Sequence, residues 1–233
     1  MEQLVFELAA PEPPRLANFL PGRNAELLAA LADFSGPASP DTGMLLWGAP
    51  ASGKTHLLVA TVAYAEVAGA TARYFAAAHE VDDGVTAAPG ALVAVDRIDE
   101  ADAAAAGRLF TLFNALKVAG GRLICAARVP PAQLALREDL RTRLGWGLVY
   151  EVLPLSDEEK TAALAAHARE RGFELHADVI DYLLRHGRRD LRSLLATLAA
   201  LDRRSLATKR AISVAMVRDW LQQEREWDRR LGA

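Results

Sequence analysis

Two short stretches hold the residues whose types and spacing suit them to chemistry. The first, GAPASGKTH (48–56), satisfies G-x-x-x-x-G-K-[ST]. Gly48 and Gly53 permit a tight loop, completed by Ala49, Pro50, Ala51 and Ser52, whose inward backbone N–H groups suit phosphate oxygens. Lys54 is placed to span the β- and γ-phosphates and Thr55 to hold Mg²⁺ through its hydroxyl, with His56 following on the helix. That helix offers its positive end to the same anion. The second stretch, ALVAVDRIDE (91–100), is an apolar run ending in Asp96, the position of a carboxylate that holds Mg²⁺ through water. The ligand expected from this pair is ADP or ATP with Mg²⁺. The next position, where an acid would orient the attacking water, is Arg97, and a guanidinium cannot accept a proton near neutral pH. Asp99 and Glu100 follow, but a strand exit need not aim them at the γ-phosphate. Binding with weak intrinsic hydrolysis is therefore expected.

These residues need elements to position them. Met44–Trp47, Arg73–Ala76, Leu92–Val95, Leu123–Ala126 and Val149–Val152 are short apolar or β-branched runs. Helical patterns such as Leu57–Val67 and Ala101–Val118 alternate with them. That alternation predicts an α/β fold, a parallel sheet with helices on both faces. After Pro154 only helical patterns remain. Ser156 with Glu159 forms a capping box, Gly187 suits a helix C-terminus, Leu191, Leu194, Leu195, Leu198 and Leu201 make a stripe, and Ser213 starts a last helix. Three parts are expected: a peptide and Pro-rich linker (1–14), an α/β nucleotide-binding domain (15–154) and a small all-α domain (155–233).

Composition excludes other classes. A formal net charge of −3 argues against a dedicated nucleic-acid grip. Glu2 and Glu7 break any signal peptide, and no apolar window reaches the ~18 residues that cross a bilayer, so a cytoplasmic protein without membrane attachment is expected. The single Cys125 allows no internal disulfide and reads as a buried inert thiol. The five histidines show no metal spacing. Trp146 and Trp220 are expected to pack domain surfaces. The basic run Arg203–Arg210 reads first as a solvated helix end, with a weak DNA contact open.

Three further segments carry a family resemblance: LANFLPGRNAELL (16–28), DLRTRLGWGLVYEVLPLSDEEK (139–160) and GRRDLRSLLATLAALDRRS (187–205). With the phosphate loop they make the chain similar, over almost its whole length, to the Hda family of DnaA-related AAA+ proteins. The resemblance implies an AAA+ sheet followed by a helical lid. It implies that Arg143 is an arginine finger acting in trans, that Arg192 is a lid arginine on the phosphates, and that Phe19, Leu20 and Pro21 pack on adenine. It implies that Gln3, Leu4, Phe6 and Leu8 of QLVFEL bind the DNA polymerase III sliding clamp, although alternating apolar residues also suit a small edge strand. Implied partners are the initiator DnaA, the clamp, DNA only through the clamp, and a homo-oligomer. Ending at Ala233, the chain is expected to lack a DNA-reading domain. The implied function is negative regulation of replication initiation through hydrolysis of DnaA-bound ATP. A helicase-loading or initiator-associated ATPase and a non-catalytic adaptor with structural nucleotide are the rivals. Arg97 and Arg128, the latter where the family carries a small polar or acidic residue, depart from the family pattern.

Overall fold

A computed structural model of the chain describes residues 12–36, 39–82 and 88–231. Gln3, Leu4, Phe6 and Leu8 lie outside these residues. Two compact units divide the chain, one spanning Pro13–Pro154 and one from Leu155 onward.

The first unit is built on five strands: β1 (Gly43–Trp47), β2 (Ala72–Phe75), β3 (Leu92–Val95), β4 (Arg122–Ala127) and β5 (Leu148–Glu151). All pair in parallel in the order β2-β3-β4-β1-β5. β3 and β4 are buried throughout, as expected of strands covered on both faces. Successive side chains alternate between the layers. Met44 and Leu46 join α1 (Ala25–Ser35) and α2 (Lys54–Val67) on one face, while Leu45, Val93 and Cys125 join α3 (Ala103–Val118) and α4 (Glu138–Trp146) on the other. Helix α1 buries Leu27, Leu31 and Phe34, spaced for one helical face. Asn24 ties its entry to the end of the sheet: the side-chain amide donates to Leu153 O and accepts from Leu153 N, both at 2.8 Å. Asp102 caps α3 by accepting from Ala105 N at 2.7 Å.

The second unit is all helix: α5 (Asp157–Glu170), α6 (Ala177–His186), α7 (Leu191–Thr208) and α8 (Val214–Leu231). The capping box forms, with Glu159 N donating to Ser156 Oγ at 3.2 Å and Ser156 N to Glu159 Oε2 at 2.7 Å. Gly187 follows α6 and donates to Leu183 O at 2.8 Å, and Ser213 Oγ accepts from Met216 N at 3.4 Å at the start of α8. Leu164, Ile180, Leu183, Leu194, Leu198, Leu201, Val217 and Leu221 form its core, and Trp220 packs against it. Trp146 departs from its expected packing: it is 84% exposed on the last turn of α4, because the inward face of that helix is filled by Leu140 and Leu144. No helix among the described residues is long and apolar enough to cross a membrane.

Candidate functional site

The strand order decides what meets the phosphate loop. β1 runs into Gly48, β3 runs into Asp96, and β4 lies between them. The loop and the acid therefore share the carboxyl edge of the sheet, where ligands of doubly wound folds sit.

Two glycines make the loop possible. Gly48 has φ +151°, and a Cβ there would lie 2.6 Å from Val152 O. Gly53 has φ +103° at the start of α2, and its Cβ would lie 2.7 Å from the Phe19 ring. Ala51 is also left-handed, at φ 62°, a strained choice for a residue with a Cβ. Lys54 is only 9% exposed, and its Nζ donates to Gly48 O and Ala49 O at 2.8 Å and to Ser52 Oγ at 3.4 Å. Burial lowers its pKa, while the charges of Asp96 and Asp99 act against that shift.

Thr55 Oγ1 donates to Asp96 Oδ2 at 2.5 Å. Asp96 is 5% exposed and also accepts from Arg97 N at 2.7 Å and from Tyr74 Oη at 3.5 Å. Burial, with the neighbouring Asp96 charge, pushes the Tyr74 phenol up to about 12. A buried ammonium inside a loop closed to side chains complements a polyanion, and a hydroxyl beside a carboxylate is the hard oxygen chemistry Mg²⁺ takes. The residues present thus fit a magnesium nucleotide. No group of three or more His, Cys, Asp or Glu side chains among the described residues is placed to hold a metal.

The acids and arginines near the loop pair with one another. Arg97 adopts a left-handed backbone (φ 48°) and donates from Nε to Ala76 O at 2.8 Å, at the end of β2. Arg128, one residue past β4, donates from Nε to Asp99 Oδ2 and from Nη2 to Glu100 Oε1, both at 2.7 Å. This pairing was invisible in the sequence, because it spans 29 residues and depends on β3 lying beside β4.

Of the residues expected near adenine, Phe19 reaches the loop, its ring against Gly53 and 5.5 Å from the His56 ring. Leu20 and Pro21 are exposed. Arg192 stands exposed in the first turn of α7. Arg143 lies half-buried, its guanidinium 4.9 Å from the Phe110 ring and 5.8 Å from the Phe113 ring. It has no carboxylate partner among the described residues, whereas Arg137 pairs with Asp139 at 2.9 Å. Cys125 is fully buried and its thiol pKa is raised by desolvation, as expected of an inert thiol.

Residues 157–221 match the family model described as Hda, lid domain. Domain III of the replication initiation protein DnaA from Thermotoga maritima has a similar structure, with a TM-score of 0.71 at 18% identity over 91% of this chain and 98% of that one. AMPPCP-bound DnaA from Aquifex aeolicus gives 0.69 at 20% identity over 91% and 70%. A mutant of Thermotoga maritima RuvB gives 0.65 at 16% over 90% and 72%. The fold is that of the AAA+ module.

Proposed function

From a lid of the Hda family joined to a DnaA-like AAA+ fold, we propose that this chain is a DnaA-related regulator of chromosomal replication initiation that acts in the cytoplasm. It binds ADP or ATP through Gly48–His56, with Thr55 and Asp96 as Mg²⁺ ligands. Phe19, Leu20 and Pro21 lie against the base, and Arg192 contributes from the lid. Bound nucleotide sets the shape of the subunit; turnover on this chain is weak, since Arg97 stands where the water-orienting acid would be.

Catalysis is directed to a partner. Arg143 reaches ATP held by DnaA and neutralises charge that develops on the γ-phosphoryl group, an effect worth roughly 10³ to 10⁵ in rate. The observation that carries this reading is the state of Arg143: a guanidinium on two aromatic faces, without a carboxylate to hold it among the described residues. Gln3, Leu4, Phe6 and Leu8 dock on the DNA polymerase III sliding clamp as a short peptide, so DNA is reached only through the clamp. Head-to-tail association of copies fits the same geometry of a finger on one subunit and a loop on the next.

The test is hydrolysis of labelled ATP bound beforehand to DnaA, with clamp loaded on DNA. Adding this protein should accelerate hydrolysis, and Arg143→Ala should remove at least roughly 100-fold of the effect. Acceleration that survives Arg143→Ala would refute the finger. No acceleration at full nucleotide occupancy would favour a helicase-loading ATPase or a non-catalytic adaptor.

A further inference from the structure

The end of β4 and the turn after β3 meet beside the phosphate loop. The register pairs Trp47, the residue before Gly48, with Ala127, and Val95, the residue before Asp96, with Cys125. Arg128 is therefore the next residue out, between the loop and the acid. It takes both oxygens of Asp99, donating from its backbone N–H to Oδ1 at 3.2 Å and from Nε to Oδ2 at 2.7 Å. Its third bond goes to Glu100. The two acids differ. Glu100 is 42% exposed and also faces Arg97 at 4.0 Å, whereas Asp99 is 11% exposed and its charge is felt at Lys54. Asp99 is thus the more enclosed of the two carboxylates in the turn after β3, and Arg128, the residue next to the loop across β4, engages both of its oxygens.

We infer that Asp99 is a latent water-orienting acid of the nucleotide site and that Arg128 is the catch that disables it. This rests on the reading that the site binds ATP. The disabled step is ATP hydrolysis. The water oxygen bonds to the γ-phosphorus while the bond from that phosphorus to the β–γ bridging oxygen breaks. ADP leaves with the electron pair, one water proton stays on the phosphate, and the other passes through the Asp99 carboxylate to solvent. With a guanidinium and an N–H fixed on its two oxygens, Asp99 is aligned on Arg128 rather than on a water. Arg128 is a positioning residue in this scheme; Asp99 is the catalytic one. The chain thereby keeps an acid in reach of the loop without the turnover that would empty it of ATP.

The experiment uses the full chain and three variants: Arg128→Ala, Asp99→Asn and the double variant. The catch itself is read without turnover, from the Arg128 Nε–H resonance by NMR. That signal should be protected from exchange in the parent protein and lost in Asp99→Asn. A fluorescent ADP analogue then measures nucleotide affinity in all four proteins. Single-turnover ATP hydrolysis should rise roughly tenfold or more in Arg128→Ala, and Asp99→Asn in the same chain should return it to the parent rate or below. Arg128→Lys, which keeps the charge but not the fork, should give an intermediate gain. Unchanged hydrolysis in Arg128→Ala with normal affinity, or a gain that survives Asp99→Asn, would overturn the inference alone. Absence of nucleotide binding by the parent protein would overturn the reading beneath it.

Discussion

The phosphate loop and the last turn of α4 treat their cations in opposite ways. Lys54 is enclosed by three oxygen acceptors of its own loop, and Asp96 by three donors. Arg143 instead rests on the faces of Phe110 and Phe113, and Trp146, one turn further, is 84% exposed. Aromatic faces hold a guanidinium in place while leaving its N–H donors available. The difference separates a site whose polar groups are satisfied within one chain from a surface where a guanidinium is seated on aromatic rings alone among the described residues.

The largest effect expected from testing this contrast lies within α4 itself. Leu144→Ala removes a fully buried side chain and should cost about 2–5 kcal/mol in urea unfolding, whereas Trp146→Ala should stay within about 0.5 kcal/mol. Equal costs would mean that Trp146 is part of the fold's own packing. Next comes Lys54→Ala, which should weaken binding of a fluorescent ADP analogue about 100-fold, or about 2.8 kcal/mol, while Trp146→Ala leaves it unchanged. A matching loss in both would erase the distinction between the two regions. The smallest effect concerns Tyr74. Its phenol titrates near 12 instead of 10 because burial and Asp96 disfavour the phenolate. A raised acid pKa means that the stability it contributes is intact below about 10 and is lost as pH rises from about 10 towards 12. The thermal midpoint of the parent should fall faster over that interval than that of Tyr74→Phe. Parallel slopes would show that the hydroxyl is solvated.

What could be read from the sequence follows from how far apart the interacting residues are. The strand at Leu92–Val95, the loop at 48–55 and the Ser156–Glu159 capping box depend on neighbours within a few positions, and local pattern exposes them. The expected strands and helices differ from the observed ones by at most three residues at either end, and the strand at Leu92–Val95 coincides with β3. The placement of Arg128 on Asp99 depends on β3 lying beside β4, which no spacing encodes. The seat of Arg143 depends in the same way on α3 meeting α4 across the sheet face. Trp146 was misjudged because an aromatic near a helix end usually packs, and the space beneath it was already taken by Leu140 and Leu144. Arg97 was legible as a missing acid, but its left-handed backbone and its bond to Ala76 O were not.

Strand β1 ends at the phosphate loop, and its first residue is confined on both sides. A Cβ on Gly147 would overlap the Gly43 carbonyl, and one on Gly43 would sit 3.1 Å from the Phe113 ring that supports Arg143. Five residues, about 17 Å of hydrogen-bonded strand clamped between β4 and β5, therefore separate the seat of the nucleotide loop from the seat of the arginine. The strand works as a gauge block that keeps the two seats at a constant spacing.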